Sequence, residues 1–388
     1  MAQVGISPDV LEWARERAGM PFDTLAKRFR KYPIWLEGRG GPTFQQLETL
    51  ASILHLPMGM FFLPTPPEEK LPLPDFRRMA EGELQRPSTE LIDTIHTCQR
   101  RQRWYRDHLA GSGADILTFV GSADVGDQPA VVAGHIRTAL KLEVGSRNEA
   151  ANWEEFLRRF IALARDAGVL VMINGVVGNN THRAFNPREF RGFAIADPFA
   201  PLVFINGADT KAGQIFTVAH ELAHIWIGKD GVSNSAADDL PEELAPDLKV
   251  ERFCNAVAAE VLVPMAQLNN MDLPGDLDLA KSLISRTFRV STLVALRRMK
   301  DLGNLSYDDF QDAYAAELDF LKTKVKQKKS GGGDLYNTMG ARVDPHFASA
   351  VISAALEGQT LMGDAFELLS IKNSATFRKE ARHLGVTS

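Results

Sequence analysis

The sequence predicts an α+β protein that is mostly helical. It divides into an all-α N-terminal domain, a central α+β domain on a small sheet of about three strands, and a helical C-terminal region. Three observations carry this reading. Short helical segments joined by tight turns fill the first 65 residues, three apolar runs suited to buried strands fall between residues 169 and 206, and amphipathic stretches at helical spacing occupy most of the remainder. At 388 residues the chain exceeds one small domain, and its 45% apolar and 24% charged composition is that of a soluble globular protein.

Charge and cysteine content narrow the function classes. A formal net charge of -5 supplies no global basic field for nucleic acid and leaves only local patches to consider. Two cysteines, Cys98 and Cys254, are too few for a secreted disulfide framework. The N-terminus MAQVGISPDVLEWARERAG has no apolar signal core, and no run approaches the ~18 apolar residues of a membrane helix. The expected setting is cytoplasmic, reducing and away from membranes.

Ser7 with Pro8 at the first helical position opens a segment that Gly19 closes, and DTLAKRF (23–29), KYPIWLEG (31–38), TFQQLETLASILHL (43–56) and PMGMFFL (57–63) follow. This order resembles the helix-turn-helix domain of the lambda-repressor-like (XRE) family, with WLEGRGGPTFQQLETLA matching its W-x-x-G and P-T-x-x-x-L continuation. The resemblance implies that the second motif helix reads the major groove. Here that segment is compressed around Pro33, and Arg28, Arg30, Lys31 and Arg39 are the candidate DNA-contacting residues. A protein-docking or dimerisation module without sequence-specific DNA binding is the alternative.

Two stretches punctuate the chain. Proline-rich LPTPPEEKLPLPD (63–75) favours an extended connector, and KTKVKQKKSGGGD (322–334) reads as a flexible linker. The resulting layout is a helix-turn-helix domain at 1–66, a connector at 67–150, a central domain at 151–305, a helix and basic Gly-rich linker at 306–333, and a C-terminal region at 334–388. Within the connector, RRQRWYR interleaves cations with aromatics. That pattern suits nucleic acid, although a solvated helix face with two aromatics turned inward is the plainer reading.

The central unit reads as the helix WEEFLRRFIALARDAG ended by Gly168, the strands VLVMING, FRGFAIAD and PLVFIN, and then FTVAHELAHIWIG. On a helix, His220 and His224 lie one above the other and can present two imidazoles to one point, with Glu221 beside them as a candidate general base. The apolar flanks make two partnerless histidines and a carboxylate costly to bury, about 1–3 kcal/mol for each unsatisfied group. A bound Zn2+ removes that cost, and a catalytic zinc site needs a third protein ligand. In the downstream amphipathic helix DLKVERFCNAVAAEVLVP the polar residues of the inner face are Glu251 and, one turn later, Asn255.

HELAHIWIG followed by ERFCNAVAAEVLVP resembles the ImmA/IrrE family of gluzincin-like metallopeptidases. The resemblance covers roughly residues 150–305 and implies a zincin-like fold for the central domain, His220, His224 and Glu251 as zinc ligands, and Glu221 as catalytic base. Asn255, His182 and Arg191 are candidates for supporting the ligands or stabilising an oxyanion. Asp238, Asp239, Glu242 and Glu243 sit in a loop-like composition and rank below Glu251 as ligands, while Cys254 reads as a packing residue. The segment 279–303 resembles the small helix-turn-helix that follows the peptidase motifs in this family. Its Arg286, Arg289, Arg297 and Arg298 suit phosphate contacts, and a helical lid on the peptidase core is the alternative.

The expected function is a zinc-dependent regulatory endopeptidase acting on a specific repressor or other regulatory protein. The alternatives are a DNA-binding regulator or antitoxin-like protein of a toxin-antitoxin pair, in which zinc is structural or a switch, and a degenerate peptidase scaffold. The partners implied are a protein substrate or cognate protein docking on the C-terminal region, with DNA and a second copy of the chain left open.

Overall fold

The computed structural model describes residues 3–76, 87–142, 150–233, 246–325 and 342–386. The chain divides into two compact units, Met1–Pro72 with Arg86–Ile92, and Leu73–Gln85 with Asp93–Ser388.

The first unit contains α1 (Pro8–Arg17), α2 (Phe22–Arg28), α3 (Tyr32–Leu36), α4 (Phe44–Ile53) and a 3-10 turn at Met58–Phe62. Pro8 occupies the first turn of α1, and Ser7 stands at its N-cap position without a side-chain cap. Thr43 and Gln46 form a reciprocal capping box that fixes the start of α4. Helix α3 has only five residues, and two of them, Tyr32 and Trp35, point into the core with Leu25, Phe29, Leu47 and Leu50. Trp35 packs against Phe29 and Tyr32 at ring separations of 5.7 and 6.2 Å. Helix α3 is therefore held by its aromatics, and Trp35→Ala is expected to destabilise this unit by about 3–5 kcal/mol, measured as a lower urea midpoint.

The second unit is built on a mixed sheet. Its strands are β1 (Leu170–Asn174), β4 (Gly192–Ile195), β5 (Leu202–Asn206) and β6 (Gly231–Ser233), in the order β1-β5-β4-β6. β1 runs parallel to β5, while β4 is antiparallel to both β5 and β6. A separate antiparallel ribbon joins β2 (Val176–Val177) to β3 (Asn180–Ala184). The main sheet thus has one strand more than the expected three. β6 is too short to show a pattern, and β3, reading NTHRA, lacks the apolar alternation by which strands are recognised.

Buried on both faces, β4 and β5 read as continuous apolar runs. One face buries Val171, Ala194, Val203 and Ile205 in a large core shared with α6 (Pro129–Ala139), α7 (Trp153–Asp166), α8 (Lys211–Trp226) and α9 (Pro246–Leu262). α11 (Leu277–Phe288) and α12 (Thr292–Asp301) extend that core, while the short α10 (Met265–Leu268) and the long α13 (Tyr307–Val325) complete the central helices. The opposite face carries an aromatic layer in which Phe193 stacks on Phe204 at 4.9 Å.

The arginines of 279–303 are largely spent on this packing. Arg298 donates to the Val263 carbonyl and pairs with Glu260, and Arg289 donates to the Ala150 carbonyl while lying over the Trp153 ring. Arg297 is half-buried, which leaves Arg286 as the exposed member of the four. The segment is a helical cover of the core more than a basic surface.

Helix α5 (Thr89–Gly111) carries RRQRWYR. Within the second unit, Trp104 and Tyr105 set their rings edge-on to Phe347 at 5.7 and 5.9 Å. Phe347 belongs to α14 (Pro345–Leu356), which α15 (Met362–Leu369) and α16 (Ser374–His383) follow. Buried Arg101 donates to the Leu368 carbonyl at 2.8 Å and to the Ser370 hydroxyl at 2.9 Å, and Arg100 pairs with Glu367. The two aromatics turn inward and Arg100 and Arg103 stay exposed, as the plainer sequence reading has it, whereas Arg101 departs from that reading by being buried. Asp344 caps α14, accepts the Val171 amide and pairs with Arg165 at 2.7 Å, so it ties the C-terminal helices to β1. Among the described residues no helix is long and apolar enough to cross a membrane.

Candidate metal centre

Helix α8 starts at Thr210, whose hydroxyl caps the Gly213 amide, and ends before Gly228, which adopts a φ of 64° that favours glycine. Its apolar residues press against the sheet and α9, so Glu221, His220 and His224 are all fully buried. Helix α9 brings Glu251 and Asn255 to the same place from the other side, at 1% and 3% exposure.

Three side chains converge. His224 Nε2 lies 3.1 Å from His220 Nε2 and 3.0 Å from Glu251 Oε1, and His220 Nε2 lies 3.3 Å from Glu251 Oε2. Donors on a tetrahedral zinc with bonds of 2.0–2.1 Å sit about 3.3–3.4 Å apart, close to these separations. His220 Nδ1 faces Asn255 Oδ1 at 2.9 Å. A hydrogen bond donated there leaves the Nε2 lone pair free for a metal and fixes the ring's tautomer. Two imidazole lone pairs and a carboxylate at such distances repel one another unless a cation sits among them, so the donor set fits zinc.

The electrostatics agree. Burial alone would raise the pKa of Glu251, yet the two histidines beside it outweigh burial and hold its carboxyl well below the usual carboxylate range. For His220, burial favours the neutral ring, and Glu251 more than reverses this, so a proton is held more readily than on a free histidine. Glu221 is the opposite case from Glu251, because burial dominates and pushes its carboxyl up.

Glu221 is held from one side only. Its Oε1 accepts the hydroxyl hydrogen of Ser233, on β6, while Oε2 is buried without a hydrogen-bond partner among the described residues. Ser233 pairs with Gly192 across β4–β6. A Cβ on Gly192 would meet the Thr217 side chain at 2.6 Å, the Phe204 carbonyl at 2.8 Å and Glu221 Oε1 at 3.0 Å, so glycine here is what lets the carboxylate approach the sheet. Gly192→Ala is expected to push Thr217 or Glu221 away from the sheet and to destabilise the second unit by about 1–3 kcal/mol, measured as a lower urea midpoint.

Ser233 and Gly192 are missed by sequence reasoning, since a serine and a glycine on short strands carry no local signal. The other sequence candidates lie as follows. Asn255 is in the centre, on His220. Arg191 precedes β4, and its main chain bridges Ser233 and Asn206, while its guanidinium stands 3.8 Å from Asp209. His182 is exposed on β3, where its amide bonds Asn180, and among the described residues nothing joins it to the buried trio. Cys254 is in the apolar core, where burial pushes its thiol up. Arg28, Arg30, Lys31 and Arg39 are all exposed on the first unit, Arg39 paired with Glu37. Asp238, Asp239, Glu242 and Glu243 lie outside the described residues.

Comparison with known proteins bears on this region. Residues 164–300, which include every member of the trio and Glu221, match the family model of the IrrE N-terminal-like domain, peptidase family M78. Residues 343–383 match a domain of unknown function, DUF8813, which coincides with helices α14 to α16. No curated protein and no solved structure matches the chain.

Proposed function

We propose that the chain is a zinc-dependent regulatory endopeptidase that cleaves a specific repressor or other regulatory protein. The observation that carries this reading is the convergence of His220, His224 and Glu251 at 3.0–3.3 Å beside a carboxylate with one unpaired oxygen. The match of residues 164–300 to a peptidase family supports it.

His220, His224 and Glu251 would hold the metal, and Asn255 orients the first of them. Zinc bound there supplies a water of lowered pKa and polarises the peptide carbonyl. Glu221 takes the proton of the attacking water on Oε2 while Ser233 holds Oε1 in place, and burial, by raising the affinity of the carboxyl for a proton, suits it to pass that proton to the leaving amine. The ligand atoms are withdrawn from solvent, which favours a narrow substrate over general digestion.

The test is capture in the native cell, comparing tagged wild type with Glu221→Gln by mass spectrometry. One protein held intact on the variant and cut by wild type supports the reading and names the substrate. The same intact partner on both forms, with nothing cut, replaces it with the second reading, a regulator whose zinc is structural or a switch. Exposed Arg28, Arg30 and Lys31 beside α3 favour DNA as a ligand in that case.

A further inference from the structure

β6 lies at the edge of the main sheet, and its free side is taken by the segment Leu73–Phe76. The Val232 amide donates to the Pro74 carbonyl and the Phe76 amide donates to the Val232 carbonyl, each at 3.0 Å, so both outward-facing main-chain groups of Val232 are used. The Phe76 ring then folds over the centre. It stacks on the His224 imidazole at 5.6 Å and 20°, and it occupies the space a side chain at position 231 would need, since a Cβ on Gly231 would stand 2.1 Å from the ring.

We propose that the edge of β6 is a docking site for an extended peptide and that Leu73–Phe76 occupies it in cis, as a strap that must leave before the metal centre can exchange its contents. This rests on the metallopeptidase reading. Three observations support it. The strap touches both parts of the machinery, its ring lying on a metal ligand and its backbone on the strand whose Ser233 holds Glu221. Its backbone pairing with β6 runs through a single residue, Val232, against the five-residue register that joins β1 to β5. It is also built for extended docking. Pro72 and Pro74 restrict the backbone, Leu73 before proline favours an extended conformation, and Pro74, which lacks an N–H, contributes only the carbonyl that Val232 needs. An edge strand relieved of such a partner accepts another extended chain.

The strap is tested by zinc release. Zinc-loaded wild type and Phe76→Ala are mixed with excess chromophoric chelator, and release is followed by absorbance. The variant is expected to keep the wild-type zinc content yet release it about tenfold faster, the equivalent of one lost ring contact. A peptide of residues 70–76 (KLPLPDF) added in trans is expected to slow the variant again. Phe76→Leu, which retains the apolar body, should fall between the two. Equal release rates in wild type and Phe76→Ala overturn the proposal.

Amide exchange of the unaltered protein gives a second reading that needs neither a variant nor zinc. The Val232 and Phe76 amides should exchange well before those of β5, because the strap opens locally. Exchange as slow as in β5 means that the strap does not open, and the proposal falls. A wild type that takes up no zinc sinks the metallopeptidase reading by itself and leaves the amide exchange to decide the strap.

Discussion

Glu221→Gln is expected to leave zinc bound at its wild-type level while cleavage of the substrate falls by about 10²–10⁴-fold. Glutamine keeps the shape of the side chain and can still accept the Ser233 hydroxyl through its amide oxygen, so the local packing survives. What is lost is the basic oxygen. Oε2 has no protein hydrogen-bond partner among the described residues, and on the proposed function it is the atom that receives the proton of the attacking water. An amide nitrogen there is a donor and cannot accept that proton. The measurement pairs metal analysis with the cut-to-intact ratio of the captured protein. Unchanged cleavage would remove Glu221 from the chemistry, and loss of zinc along with activity would make its role structural.

Glu251→Ala has the largest expected effect on stability and metal together. Glu251 is 1% exposed and sits against both imidazoles, and removing one partner of a buried charged set costs about 3–5 kcal/mol. For a unit of this size that corresponds to a fall in melting temperature on the order of 10 °C. Two histidines alone do not make a closed ligand set, so zinc content should fall to near zero after dialysis. Wild type treated with chelator should also melt lower, because a ligand bound only by the native state stabilises it, whereas the variant should not respond to chelator. A variant that keeps stoichiometric zinc would show that Glu251 is not a ligand. Glu251→Gln separates charge from shape, since it preserves the volume and should still lose the metal.

Much of the centre was legible in the sequence because its parts repeat at the period of a helix. His220 and His224 are four apart, as are Glu251 and Asn255, and each pair must share a face wherever the helix is placed. The apolar flanks of HELAH required burial, and burial required partners for the polar three. The strand runs at 170–174, 192–195 and 202–206 were equally readable, since each is buried and nearly continuous in apolar residues. These are local properties, set by spacing and by the transfer of side chains out of water.

Tertiary structure decided what spacing cannot carry. Ser233 on Glu221, Gly192 beneath it and Phe76 over His224 join residues far apart in the chain, and each depends on pairings of β6, a strand too short to be recognised before its neighbours are in place. The arginines show the same limit. Arg101 and Arg298 read as surface cations by composition, but packing turned them inward onto carbonyls and, for Arg298, onto Glu260. A sequence determines which face of an element is apolar, and hence that it will be covered. Only the packed chain determines what covers it, because that choice is made by distant segments competing for the same surface.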